Sequence, residues 1–279
     1  MESFKIVRHL EESHQEEINR DADIDPEEIA LLKTYYLPAI LENIRSGKYD
    51  SATVICSDKL RSSRTADILR EELQRYGDIP VNQETDDRIS AEIHGRYKTG
   101  TNSDNPLIER AKMIFLHEAF EKHNVWYRHG SASNDAGEIL YPELNEIFES
   151  PGENQIELNI RMYRFVLDLL QRIEENPTNL FILSAHHVVM STLLALQRIS
   201  EKGGPFINIR YHPQGLLYAD QNMETEEMIG GWDNFYDYYK SRNYIFDIDV
   251  QKLKQIREII QAELDLCLAS YTQHYGNRL

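Results

Sequence analysis

The sequence predicts an α/β protein with three layers, in which helices cover both faces of a mainly parallel sheet. Three short apolar runs, at residues 4–7, 52–57 and 180–185, have the length and composition of buried strands. Stretches with helical periodicity lie between these runs, and such alternation is typical of a parallel sheet covered on both sides. We therefore expect a single domain over residues 1–279 built on these strands.

The first helix is predicted from its start signal. Asp25 has the character of an N-cap, Pro26 suits the first helical position, and Glu28 suits the third. The helical period continues to Ile44, and we expect Pro38 to kink or split this helix.

Further elements follow from the same periodicity along the chain. The pattern predicts helices over 63–76, 153–175 and 188–197, and an amphipathic C-terminal helix over 249–275. Additional strands are predicted to begin near 79–81 and over 205–210, with 215–219 as a possible partner. Residues 97–150, which begin and continue in loop-like sequence, are interpreted as a cap insertion.

The composition is that of an ordinary globular protein and argues against two classes of partner. Hydrophobic residues make up 41% of the 279 residues, charged residues 28%, and the formal net charge is −17. This charge disfavours nucleic acid and anionic membranes as main partners, and it requires any phosphate site to be a local basic region. The chain has no run of eighteen apolar residues. Cys56 and Cys267 lie far apart without metal-like or redox spacing, so we expect a cytoplasmic protein with reduced thiols.

Three predicted strands end in basic or hydroxyl side chains. In open α/β sheets, ligands bind beyond the carboxyl ends of the strands. Arginine forks match phosphate oxygens, and an imidazole can attack phosphorus. Arg61 just precedes the helix predicted from Ser63, whose free amides would add to an anion site. The residues that follow the three strands are Arg8 and His9, Ser57 with Arg61, and His186 with His187.

These segments resemble, in order and spacing, the signatures of the histidine phosphatase superfamily, which has the phosphoglycerate-mutase-like fold. Residues 6–11 resemble its Arg-His-Gly-Glu signature, and residues 57–66 resemble its second motif of serine, arginine and Thr-Ala. Residues 152–161 are similar to its Gly-Glu-Ser…Arg segment, and residues 183–187 resemble the strand that delivers a second catalytic histidine. The resemblance extends from residue 4 to about residue 200.

The resemblance implies phosphomonoester hydrolysis without a metal or another cofactor. His9 would carry the phosphoryl group as a phosphohistidine, and Glu92, in a segment similar to the family's acid donor, would protonate the leaving oxygen. His186 would be the second catalytic histidine. The phosphate oxygens would be held by the cationic and hydroxyl groups of Arg8, Ser57, Arg61 and His186.

Departures from the family pattern leave two other functions open. Leu10 replaces the glycine that follows the nucleophile, and Gln15 replaces an asparagine of the mutases. A phosphoglycerate-type mutase is therefore disfavoured, and a non-catalytic phosphate-binding or scaffold protein is the second alternative. Glu92 lies three residues before Gly95, where the family spacing is four.

A second Arg-His pair offers another candidate nucleophile. Arg128 and His129 are followed by a glycine, as in the family signature, but they lie in the presumed cap. The expected substrate is a phosphorylated small molecule or a phosphoprotein, whose identity the cap would select. The chain is also expected to be capable of forming a homodimer.

Overall fold

The computed structural model describes residues 3–8, 24, 26–90, 96–97, 106, 148–150, 155–185, 187–199, 206–210 and 245–275. The strands are β1 (Ser3–Arg8), β2 (Ser51–Cys56), β3 (Val81–Thr85), β4 (Arg96–Tyr97), β5 (Phe148–Ser150), β6 (Asn179–Ala185), β7 (Ile207–Arg210) and β8 (Ile245–Asp249). The α-helices are α1 (Pro26–Leu31), α2 (Leu37–Arg45), α3 (Leu60–Gly77), α4 (Gln155–Glu175), α5 (His187–Ile199), α6 (Val250–Gln255) and α7 (Arg257–Tyr275).

The chain forms two compact units. The first contains Met1–Ser90 with Phe165–Gln261, and the second contains Ala91–Arg164 with Ala262–Leu279. Among the described residues, no helix is long and apolar enough to cross a membrane.

The first unit is built on a mixed sheet with the strand order β3-β2-β6-β1-β8-β7. β3, β2, β6 and β1 pair in parallel, whereas β8 pairs antiparallel with both β1 and β7. The prediction of an α/β protein with a mainly parallel sheet is confirmed.

Contacts of α3 and α4 with the sheet can be described for two of its strands. The buried face of α3, with Leu69 and Leu73, belongs to the same apolar cluster as Val54 of β2 and Ile182 of β6. Successive strand residues point to opposite faces, so Phe181 faces away from that cluster. The guanidinium of Arg172 in α4 lies 5.0 Å from the centre of the Phe181 ring, so this residue of α4 contacts a side chain on the other face.

β8 is a strand that the sequence analysis did not predict. It lies between β1 and β7, whereas residues 215–219, the partner expected for the strand at 205–210, lie outside the described residues. The alternation in Ile245–Asp249 is a weak strand signal because two of its five residues are aspartates. Both aspartates have partners that allow them to occur in a strand. Asp247 pairs with Lys5 of the neighbouring strand β1, and Asp249 caps α6 by accepting hydrogen bonds from the backbone N–H groups of Gln251 and Lys252.

Two helix boundaries differ from the sequence expectations, whereas the division expected at Pro38 is present. The chain passes there from α1 through a π-helical turn, Leu32–Tyr36, into α2, and this turn accommodates a residue that cannot donate a helical hydrogen bond. α3 begins at Leu60 rather than Ser63, so Arg61 lies inside the helix and does not precede it. The C-terminal helical region is interrupted at Ile256, which is buried and separates α6 from α7.

The second unit contains the short antiparallel pair β4–β5, in which Arg96 lies opposite Ser150. Its buried residues include Leu158 and Met162 of α4 and Leu264 of α7. Of the predicted cap at 97–150, the structure describes only residue 97, residue 106 and β5, so that prediction lies mainly outside the described residues.

Candidate active site

The carboxyl ends of three neighbouring parallel strands lie at one level of the sheet. β6 lies between β1 and β2. Arg8 at the end of β1 is the register partner of Ala185 at the end of β6, and Cys56 at the end of β2 is the partner of Ser184. Adjacent strands lie about 4.8 Å apart, so the chain leaves all three strands within a small region, which we call the carboxyl end of the sheet.

The structure describes part of the predicted site. The backbone of Arg8 ends β1, Ser57 follows β2, and Arg61 lies in the first turn of α3. The other predicted and alternative site residues lie outside the described residues; they are His9, Glu92, Arg128, His129 and His186.

Ser57 forms the turn between β2 and α3 from a buried position. Its side chain is fully buried, and its hydroxyl accepts a hydrogen bond from the backbone N–H of Lys59 over 3.4 Å. The predicted contact of Ser57 with a substrate phosphate stays a prediction. The structure gives Ser57 the role of shaping the loop.

Arg61 lies at the N-terminal end of α3. It is half-buried, and its carbonyl accepts a hydrogen bond of 2.8 Å from the hydroxyl of Thr65. Lys59 occupies the N-cap position without a side-chain cap hydrogen bond. Although Arg61 lies inside the helix and not before it, its position in the first turn combines the guanidinium charge with the positive end of the helix dipole. Arg64, one turn further, is exposed.

Two buried serines join the ends of β2 and β6 to α3. The Ser62 hydroxyl accepts a hydrogen bond of 2.9 Å from the backbone N–H of Ser57 and donates one to the carbonyl of Ser184. The Ser184 hydroxyl in turn donates to the carbonyl of Ser62 over 2.9 Å. All three serines are fully buried, so water does not compete for these bonds.

The segment after β3 is fixed at the same end of the sheet. The backbone N–H of Asp86 donates to the carbonyl of Cys56 over 2.8 Å, which extends the pairing of β3 with β2. The Asp86 carboxylate accepts hydrogen bonds from the backbone N–H of Arg88 at 2.9 Å and from its guanidinium at 2.8 Å. Arg88 also pairs with Asp168 of α4 and lies over the Phe165 ring.

These contacts determine the charge of the carboxylates in the region. Burial raises the pKa of Asp86, but the hydrogen bonds and charge of Arg88 outweigh it and lower the pKa below the ordinary value. Asp58 behaves in the same way: burial raises its pKa, and the hydrogen bond from Ser90 together with the Lys59 ammonium lowers it overall. Both aspartates are therefore carboxylates at neutral pH, and neither is suited to donate a proton.

The hydrogen bond between Ser90 and Asp58 ties two loops together. The Ser90 hydroxyl donates to the Asp58 carboxylate, so the loop that leads to Arg61 is connected to the segment that leads toward residue 92. Ser90 is buried although it ends a polar connection. This contact fixes Ser90, which lies two residues before Glu92 in the sequence, beside the turn between β2 and α3.

Cys56 is the described residue at the carboxyl end of the sheet that could be mistaken for a nucleophile. Burial raises the pKa of its thiol, and the thiol donates to the carbonyl of Glu84 over 3.4 Å. A protonated, buried thiol is a poor nucleophile, so Cys56 is assigned to the core.

No protein-family model and no curated protein matches this chain. The resemblance to the histidine phosphatase superfamily therefore stands on the order and spacing of the sequence motifs alone.

The sequence analysis missed the residues that support the site. No local pattern indicates the supporting contacts of Ser62, Ser184 and Ser90, because these contacts join positions that are distant in the chain. The position of Ser184 within an otherwise apolar run is a visible irregularity, since a serine in a buried strand needs a hydrogen-bond partner. The role of Arg88 depends on Asp168, which is distant in the sequence, so no local pattern indicates it.

The contacts of Arg88 make a prediction about stability and pH. Arg88→Gln should lower the free energy of unfolding at neutral pH by about 1–3 kcal/mol, since it removes charge-assisted hydrogen bonds to Asp86. The lowered pKa of Asp86 stabilises the fold above the ordinary carboxyl pKa of about 4, and this contribution is lost as the pH falls below that value and through the lowered pKa. Urea unfolding curves of wild type and variant should converge as the pH is lowered.

A matched control is Arg75→Gln, which removes an exposed guanidinium 3.9 Å from Glu72. We expect at most about 0.5 kcal/mol from this control. An Arg88→Gln effect that equals the control, or that stays constant between pH 7 and pH 3, would contradict the assigned role of Arg88.

Proposed function

We propose that the chain is a metal-independent phosphatase that hydrolyses phosphomonoesters through a phosphohistidine at His9. The observation that supports this proposal is the adjacency of β1, β6 and β2 with Arg8 opposite Ala185 and Cys56 opposite Ser184. Residues 9, 186 and 57 follow these strands directly, so covalent geometry keeps their Cα atoms within about 4 Å of the strand ends. The proposal assigns the imidazoles of His9 and His186 and the guanidinium groups of Arg8 and Arg61 to this end of the sheet.

The reaction proceeds in two steps. A ring nitrogen of His9 attacks phosphorus, the ester P–O bond breaks, and the leaving oxygen takes a proton from the carboxyl group of Glu92. Water then attacks phosphorus with Glu92 as base, the P–N bond breaks, and inorganic phosphate leaves. The cationic groups of Arg8, Arg61 and His186 stabilise the charge on the phosphoryl oxygens, which is the role that a metal ion plays in other phosphatases.

Glu92 is proposed as the proton donor because of its chain position. The hydroxyl of Ser90 is hydrogen-bonded to Asp58 at the carboxyl end of the sheet. Glu92 follows two residues later, and two residues of extended chain span at most about 7 Å. The low pKa values of Asp58 and Asp86 support this choice indirectly, since neither of these carboxylates holds a proton at neutral pH.

The proposal includes a three-layer α/β/α arrangement and a cap over 97–150 that selects the substrate, a phosphorylated small molecule or a phosphoprotein. It also places the protein in the cytoplasm. Cys56 and Cys267 are free thiols, and free thiols fit a reducing compartment.

The phosphohistidine is tested by trapping. With ³²P-labelled substrate and a rapid alkaline quench, the wild-type protein should carry an acid-labile, base-stable phosphoryl group, because phosphohistidine is stable in base. His9→Ala should carry none, and the control His129→Ala should carry the full amount. Label that persists in His9→Ala and disappears in His129→Ala would transfer the role to the second Arg-His pair. A wild-type protein that is never labelled and releases no phosphate would favour the scaffold alternative.

The role of Glu92 is tested by the leaving group. Glu92→Gln should slow alkyl phosphates by roughly 10²–10⁴ and nitrophenyl phosphate much less, since nitrophenolate leaves without a proton. The ratio of kcat values for the two substrates in wild type and variant is the measurement. Equal losses on both substrates would exclude Glu92 as the donor.

The role of Arg61 is tested against its neighbour on the same helix. Arg61→Ala should reduce kcat by about two to three decades, the usual cost of one lost electrostatic contact to a transition state. Arg64→Ala, which removes an exposed guanidinium three residues later, should change kcat by less than about twofold. Similar kcat values for the two variants would show that Arg61 does not contact the phosphoryl group.

A further inference from the structure

We infer that Ser62 and Ser184 are positioning residues of the proposed phosphate site, which hold the ends of β2 and β6 and the first turn of α3 in fixed relation. This inference rests on the proposed function. It concerns residues that the family resemblance does not assign, and it is carried by contacts among fully buried groups.

The Ser62 hydroxyl lies between two strand ends. It accepts the N–H of Ser57, the first residue after β2, at 2.9 Å and donates to the carbonyl of Ser184 in β6. The hydroxyl oxygens of Ser62 and Ser184 lie 3.4 Å apart, and Ser184 returns a hydrogen bond to the Ser62 carbonyl. One side chain thus uses both its acceptor and its donor capacity to connect the two strands.

Each end of this pair is close in sequence to a proposed phosphate ligand. Ser62 directly follows Arg61, and Ser184 is two residues before His186. Without the Ser62 hydroxyl, the buried N–H of Ser57 loses the acceptor seen here, and a buried donor without a partner forces the backbone to move. A displacement of about 1 Å in a catalytic group can cost on the order of 10²-fold in rate.

The opposite end of the same strand pair provides a matched comparison. The Thr53 hydroxyl of β2 accepts a hydrogen bond of 3.0 Å from the side-chain amide of Asn179 in β6. Thr53 is also buried, but it lies toward the amino ends of the strands, away from the proposed site. A purely structural role predicts similar consequences for the loss of either hydroxyl.

The experiment compares Ser62→Ala with Thr53→Val and with Ser63→Ala, a substitution at the half-buried neighbour in α3. Three quantities are measured on the full chain: the urea midpoint, the affinity for inorganic phosphate by calorimetry, and kcat with nitrophenyl phosphate. Ser62→Ala should weaken phosphate binding by about tenfold and reduce kcat by about 10–100-fold. Thr53→Val should lower the urea midpoint to a similar extent but leave binding and kcat within about twofold of wild type.

A double-mutant cycle shows whether Ser62 acts through Arg61. In the Arg61→Ala background, Ser62→Ala should have a smaller effect on phosphate affinity than it has alone, because the guanidinium that it positions is absent. Full additivity of the two effects, or equal losses of binding and kcat in Ser62→Ala and Thr53→Val, would overturn the inference.

If Ser62→Ala fails to fold, Ser184→Ala replaces it, since this variant keeps the Ser62 hydroxyl and its bonds to the Ser57 N–H and the carbonyl of residue 184, and removes only the contacts of the Ser184 hydroxyl. Unchanged phosphate affinity in Ser184→Ala then overturns the inference.

The affinity for phosphate distinguishes a failure of the positioning role from a failure of the proposed hydrolysis. A wild-type protein that binds phosphate without turnover, with binding weakened in Ser62→Ala, supports the positioning role and refutes hydrolysis. A wild-type protein that neither binds phosphate nor turns over refutes both.

Discussion

The parallel pairing of β6 with β1 on one side and β2 on the other is the constraint on which the candidate site depends. Residues 180–185 of β6 are buried, and Leu180 and Ile182 belong to the apolar cluster on the α3 side of the sheet. A slip of one residue would exchange the two faces and would also separate Ala185 from Arg8. The packing of the core therefore determines the register of the strands, and this register aligns the three strand ends at which the candidate site lies.

β1 carries a second constraint on register, which is electrostatic. Lys5 is completely buried within the strand and pairs with Asp247, its direct register partner in β8. An ammonium group in a low-dielectric interior is tolerated only beside a counter-charge, and breaking such a pair costs about 3–5 kcal/mol. A shift of β8 by one position would bring Phe246 or Ile248 opposite Lys5 instead. The pair therefore selects one alignment of β1, the strand that ends at Arg8, whether or not it adds net stability.

The sequence predicted those features that arise from local patterns. β1, β2 and β6 are apolar runs with clear ends, and Pro26 marks the start of α1. The start of α3 was predicted three residues too late because Lys59 caps the helix without a side-chain hydrogen bond, so no capping residue signals it. β8 and the serine pair depend on partners that are distant in the chain: Ser62 and Ser184 are 122 residues apart. Pattern reasoning identifies elements, whereas the contacts that position a site arise from tertiary structure.

A phosphate site in a chain of net charge −17 requires that nearby carboxylates be compensated locally. At physiological ionic strength, screening reduces the effect of exposed charges beyond about 8 Å, so the groups at the carboxyl end of the sheet matter most. Asp86 is compensated by Arg88, and Asp58 by Lys59 and the hydrogen bond from Ser90. The segment 57–64 has three cations and one carboxylate, a charge of +2, from Asp58, Lys59, Arg61 and Arg64. The turn after β2 together with the start of α3 is thus a basic region within an acidic protein, and it is held in place by buried serines whose hydroxyl groups carry no charge of their own.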